Sequence, residues 1–250
     1  EGIDLGVVDR AVAEATAAVE TPARAQLVTL LEQLPPERRG LPLIVSVGRF
    51  HRVKGMATIV EAWAGGALKD RANLLLIGGN LDAPSADERE QLDLMDAIVP
   101  ADGRAALGLL LPGHQPNDTV ARWVAAVRRG IPGLAAPNGI YVCGSLKEEF
   151  GIALLEAMAS GLIVVAPNGG GPATYVEQGV TGYLTSTWHV GMLAEAMTEA
   201  LDAATAETSD DRAERSRRTV ETSFTIQAMA GSLAAVYAYV HEQEIEHHAE

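Results

Sequence analysis

Five apolar runs, Leu43–Val47, Asn73–Gly78, Leu107–Leu111, Ile140–Cys143 and Leu162–Ala166, recur along the chain with helix-like segments between them. They are rich in Val, Ile and Leu and do not alternate in polarity. A strand with one wet face must alternate, so runs of this kind belong to a parallel sheet covered by helices on both sides. The expected fold class is therefore α/β, a Rossmann-like doubly wound parallel sheet.

Helices are expected at about 55–64, 85–98, 118–129, 151–160 and 190–204, with another after Pro172. Ser85-Ala86-Asp87-Glu88 has the form of a capping box, and Asn117-Asp118 offers a second N-cap. Outside this core, residues 9–34 read as one helix ending before Pro35-Pro36. Residues 210–243 read as one or two terminal helices running into the polar tail HEQEIEHHAE. The division is thus 1–39 as a leading segment and helix, 40–205 as the α/β body, and 206–250 as terminal helices and tail.

Composition narrows the function. The longest apolar runs fall well short of the roughly 20 residues of a membrane helix, and no basic-then-apolar leader opens the chain, so neither membrane insertion nor targeting is expected. The only cysteine, Cys143, excludes an internal disulfide framework, points to a reducing cytoplasm and reads as core packing. A formal charge of −14 opposes binding to nucleic acid or anionic lipid. An anionic ligand then needs a local cluster of cations. His247 and His248 lie beside glutamates but read as a solvated tail, and no metal site is expected.

Two stretches carry chemistry. In SLKEEFGIALLEAMASG, a helix beginning near Gly151 puts Ile152, Leu155, Met158 and Ala159 on one buried arc. Glu156 falls at its edge, about 40° round from Ile152 at roughly 100° per residue. Gly161 suits the C′ position. A carboxylate at that edge needs a partner: either a salt bridge, or hydroxyls of a ligand such as ribose. The loop before this helix leaves a strand at its carboxyl end, where doubly wound sheets bind ligands, and the helix start offers unpaired N–H groups to an anion. The second stretch, VSVGRFHRVKG, crowds Arg49, Arg52 and Lys54 into a strand-to-helix loop between two glycines, which suits a diphosphate.

The motifs GRFHRVKG, GGN after the second strand, EEFGIALLEAMASG and GGGPATYVEQGVTGYL, spread over about residues 40–205, resemble the retaining GT-B glycosyltransferases of family 4, which include the sucrose synthases and sucrose-phosphate synthases. The resemblance implies the C-terminal, nucleotide-sugar-binding half of a GT-B fold. Arg49 and Lys54 would hold the donor diphosphate, Glu156 the ribose, and Glu148 the transferred sugar, chosen over Glu149 by its spacing from Glu156. The N–H groups of Phe150, Gly151 and Ile152 would meet sugar or phosphate. Retention in this family is ascribed to same-face attack, which makes Glu148, with Arg49 and Lys54, an electrostatic stabiliser and not a nucleophile. The donor, of UDP-glucose type, is a substrate, and neither cofactor nor metal is implied.

This chain has Thr174 where the family often has Glu, which puts one polar contact in doubt. His51 reads as a loop side chain, while His114 and Gln115 fall where the family places its base pocket. EGIDLG resembles the interdomain segment, so an N-terminal acceptor-binding domain is expected as the missing partner. Two other readings share the fold: a sugar-nucleotide epimerase, and a nucleotide-binding module without catalysis. Transferred sugar, epimerised donor, or binding alone would separate the three.

Overall fold

A computed structural model describes residues 2–234, 236 and 237. Helices α1 (Leu5–Thr16) and α2 (Pro22–Leu31) precede β1 (Pro42–Val47). Then α3 (Met56–Ala64) and the single turn α4 (Leu68–Arg71) lead to β2 (Asn73–Ile77), and α5 (Ala86–Ile98) and α6 (Arg104–Leu107) to β3 (Leu109–Gly113). Helix α7 (Asn117–Arg129) leads to β4 (Ala136–Val142), α8 (Ile152–Ala159) to β5 (Ile163–Pro167), and the turn α9 (Pro172–Tyr175) to β6 (Gly182–Thr185). Helices α10 (Val190–Thr205) and α11 (Ser209–Ser223) follow.

The strands form one sheet in the order β3-β2-β1-β4-β5-β6, every neighbouring pair parallel. Alternate side chains point to opposite faces, so each strand feeds two cores. Leu43, Val45, Leu75, Tyr141 and Val164 face α1, α2, α7 and α8. Ile44, Leu74, Leu76, Ile140 and Val165 face α3, α5 and α10, where Trp63, Met95 and Met197 are buried. Both faces are covered, as the unbroken apolar runs require. The chain leaves β1 toward β2 on one side and returns to β4 on the other, which makes the carboxyl ends of β1 and β4 the topological switch point.

Several expectations need correction. Residues 9–34 form two helices, because Thr21 caps the second through its Oγ1, accepting from Arg24 N at 3.1 Å, and Pro22 takes the first helical position. The run Leu107–Leu111 is out of register with β3: Leu107 ends α6 at 45% exposure, and Gly108 at φ 93° turns the chain into the strand. Asn117 is the first residue of α7 and makes no side-chain cap. The sheet has a sixth strand, β6, beyond the five expected. The capping box at Ser85 and Glu88 is present, and Gly161 at φ 83° follows α8.

The segment before β1 is bound into the body. Ile3 N donates to the Phe224 carbonyl at 2.8 Å, and Ile226 N to the Ile3 carbonyl at 3.2 Å. Arg122 of α7 holds Glu14 of α1 at 2.6 Å. A further helix starts at residue 226. Residues 238–243 of the expected terminal helices, and His247 and His248 of the tail, lie outside the described residues. Among the described residues no helix is long and apolar enough to cross a membrane.

Candidate functional site

At the switch point the loops after β1 and β4 meet backbone to backbone. A Cβ on Gly55 (φ 63°) would stand 2.0 Å from the Gly144 carbonyl oxygen, so no larger residue fits either sterically or conformationally. Leu146 N donates to the Val53 carbonyl at 2.9 Å, fastening the same two loops further on. Between them opens a cavity of about 330 Å³, lined among others by Ser46, Lys54, Tyr141, Cys143, Ser145 and Glu148 and by residues 149–154.

Two opposite charges face each other there. Lys54 Nζ lies 2.7 Å from Glu148 Oε2, and the Ser145 hydroxyl donates to the same oxygen at 2.9 Å. The glycine-rich loop after β5 holds the Glu148 backbone: Gly171 N donates to the Glu148 carbonyl at 2.9 Å, and a Cβ on Gly170 would fall 2.1 Å from that carbonyl oxygen. Gly170 and Gly171 therefore serve close backbone packing.

Helix α8 begins at the cavity wall. Its cap, Gly151, is left-handed at φ 85° and ψ 56°, and a Cβ there would meet the Tyr175 hydroxyl at 2.6 Å. That hydroxyl donates to the Phe150 carbonyl at 2.7 Å and fixes the approach to the helix. The first N–H with an intrahelical acceptor is that of Leu155, which donates to the Gly151 carbonyl at 3.0 Å. The N–H groups of Ile152, Ala153 and Leu154, residues of the cavity lining, precede it and have no intrahelical acceptor.

A second cavity, also about 330 Å³, shares Val47, Ile152 and Ala153 with the first and continues over β1 and β2 to the loop after β3. Arg49, Glu156, His114 and Gln115 line it. Glu156 is half-buried, and among the described residues its carboxylate has no hydrogen-bond or ion-pair partner. Burial pushes its carboxyl above the ordinary range. Arg49 is exposed, likewise without a partner among the described residues. Gln115 turns its amide onto the Pro112 carbonyl at 3.0 Å. A depression of about 500 Å³ adjoins the second cavity at Arg49, Gly79 and His114.

The structure thus brings Lys54, Glu148, Phe150, Gly151 and Ile152 to one cavity, and Arg49, Ile152 and Glu156 to the next. Ile152 is 49% exposed, which corrects its place on a buried arc: as first residue of α8 it stands beyond the sheet edge, where no core residue covers it. Arg52 of the expected basic cluster is exposed and lines neither cavity. Glu149 reaches the rim, but its side chain is exposed and paired with Lys147 at 2.8 Å. His51 sits 3.3 Å from Asp87. Thr174 donates its hydroxyl to the Gly171 carbonyl at 2.7 Å and lines neither cavity. Cys143 is buried as expected and also lines the first cavity. Ser145, three residues before Glu148, went unread; the signal was a small polar residue in the carboxyl-edge loop. Among the described residues no three His, Cys, Asp or Glu side chains cluster as a metal site.

Residues 41–203 match the family described as Glycosyl transferases group 1. Sucrose synthase of Acidithiobacillus caldus is 32% identical over 178 residues, covering 67% of this chain and 21% of that protein. Sucrose synthase 2 of Pisum sativum is 29% identical over 168 residues, covering 64% and 20%. Among solved structures, sucrose-phosphate synthase from Thermosynechococcus elongatus superposes with TM-score 0.66 at 26% identity, over 88% of this chain and 49% of that one. Anabaena HepE in complex with UDP superposes with TM-score 0.68 at 18% identity, over 95% and 56%. The chain spans about a fifth of the length of these curated relatives and about half of these solved chains.

Proposed function

The chain belongs to the glycosyl transferases group 1 family, and from that premise we propose that it is the donor-binding half of a retaining, nucleotide-sugar-dependent hexosyltransferase. The observation that carries this reading is the pair of adjoining cavities at the switch point, whose charges run in the order a nucleotide sugar needs. Glu156 accepts the ribose hydroxyls in the second cavity. Arg49, Lys54 and the free N–H groups of α8 take the diphosphate between the cavities. Glu148 meets the sugar in the first. A donor of UDP-glucose type is favoured by the likeness to sucrose synthases and to a fold relative solved with UDP.

In the transfer, the acceptor oxygen bonds to the anomeric carbon as the bond from that carbon to the diphosphate breaks. The acceptor proton passes to the departing phosphate oxygen on the same face, so configuration is retained. Negative charge grows on the diphosphate and positive charge on the sugar. Arg49, Lys54 and the α8 N-terminus oppose the first, and the Glu148 carboxylate the second. Lys54 has three N–H donors and spends one on Glu148, so it can serve both charges at once. The reaction so written calls for no metal. Holding the acceptor against the sugar, which accounts for roughly 7–11 kcal/mol of such a barrier, falls to a second, N-terminal domain in this reading.

Calorimetric titration of Arg49→Ala tests the assignment. The variant should bind UDP about 10- to 150-fold more weakly, the loss expected for one charge-assisted contact, and uridine as before. Equal losses for both ligands would remove the diphosphate from this loop.

A further inference from the structure

Glu148 takes every recorded partner on one oxygen. Lys54 Nζ lies 2.7 Å, Ser145 Oγ 2.9 Å and Cys143 Sγ 3.9 Å from Oε2, and among the described residues Oε1 has none. The two strong partners differ in freedom. Lys54 ends a flexible four-carbon stem at the cavity wall, whereas Ser145 is 1% exposed on a short, packed side chain.

Ser145 is fixed from three directions. Its hydroxyl accepts from the Cys143 thiol at 3.4 Å and spends its single proton on Glu148. Its carbonyl accepts from the fully buried Thr187 hydroxyl at 2.6 Å. Leu146, the next residue, is tied to the Val53 carbonyl. Such a hydroxyl cannot turn to another acceptor without breaking one of these bonds.

We propose that Ser145, held by Thr187, is a positioning residue that anchors Glu148 by Oε2 so that Oε1 is presented to the transferred sugar. Without the Ser145 hydroxyl, the mobile ammonium is the one strong partner left. Their ion pair, already present at 2.7 Å, then leaves the carboxylate to follow the flexible lysine, and Oε1 is no longer held toward the sugar. The proposal rests on the reading of Glu148 as the group that faces the sugar.

The test titrates the chain with UDP and with UDP-glucose. Ser145→Ala should weaken UDP-glucose about 3- to 10-fold and UDP less than about twofold, as expected for loss of one buried hydrogen bond to a group that only the sugar meets. In a Glu148→Gln background the same substitution should cost nothing further, an outcome a merely structural role would not give. Thr187→Val, which leaves the Ser145 hydroxyl in place, should act in the same direction more weakly and covers the case that Ser145→Ala fails to fold. Equal losses for both ligands, or an unchanged cost in the Glu148→Gln background, overturn the proposal. If Glu148→Gln weakens UDP-glucose selectively and Ser145→Ala does not, the positioning role falls while the function stands. If the unsubstituted chain binds neither ligand, both fall.

Discussion

Glu88 and Glu156 flank the same stretch of the sheet's carboxyl edge in opposite electrostatic conditions. Glu88, in the first turn of α5, accepts from Asn80 N, Ser85 N and Ser85 Oγ, each at 2.9 Å, and these bonds, led by the Ser85 backbone, hold its carboxyl below the ordinary range. Glu156 on α8 accepts from nothing among the described residues, and burial pushes it up. One charge is finished by folding, and the other waits. A folded chain that leaves a half-buried carboxylate unpaired forgoes stability there, and such groups collect where a ligand completes the bonding.

The largest effect should come from the frame of the first cavity. Gly55→Ala puts a methyl group on the Gly144 carbonyl at a left-handed backbone position, and should cost about 3 kcal/mol or more in denaturant unfolding. A loss under about 1 kcal/mol would mean that the loops yield easily and that the unpaired state of Glu156 is not imposed by a rigid surround.

Next come the two carboxylates themselves. A raised folded pKa contributes stability that is present in acid and lost as pH rises through that pKa, so Glu156→Gln should stabilise the chain at neutral pH, with the gain vanishing in acid. The same substitution should diminish the preference for UDP over its 2′-deoxy analogue. A depressed pKa works the other way. Glu88→Gln should destabilise at neutral pH, with the difference closing as pH falls through the Glu88 pKa. Unfolding curves across pH read both, and parallel trends would erase the contrast.

The smallest effect is expected at Arg52. It shares the loop of Arg49 but lines neither cavity, so Arg52→Ala should change UDP affinity by less than about twofold at physiological salt, where exposed charges are screened. A loss as large as that of Arg49→Ala would show that the loop acts by bulk charge.

What could be read from the chain follows the range of the forces involved. The four interior strands, β2, β1, β4 and β5, were legible because burial on two faces leaves an unbroken apolar run, while the edge strand β3 was found with its start misplaced. Strand β6 escaped because it is a four-residue edge whose Tyr183 and Leu184 are half-exposed. The break between α1 and α2 was written in Thr21-Pro22 but outweighed by the Ala-rich and Leu-rich run around it. The cations and carboxylates of the site stand in short local motifs. The contact of Gly55 with Gly144 and the bond from Thr187 to Ser145 join residues 89 and 42 positions apart, and no local pattern announces them.

The backbone contacts around the cavities also decide where a protein engineer could work. Gly55 abuts the Gly144 carbonyl, Gly78 the Gly48 carbonyl, and Gly170 and Gly171 the carbonyls of Glu148 and Glu149. In each case the obstacle is main chain, so no replacement of a neighbouring side chain makes room for a larger residue, and these loops can be exchanged only as matched sets. The stretch from the loop after β3 into α7 is different: His114, Gln115 and Asn117 line the second cavity, and none of the three is a glycine pressed against main chain. A library aimed at a new nucleotide belongs on those three positions, where shape can be rewritten one residue at a time.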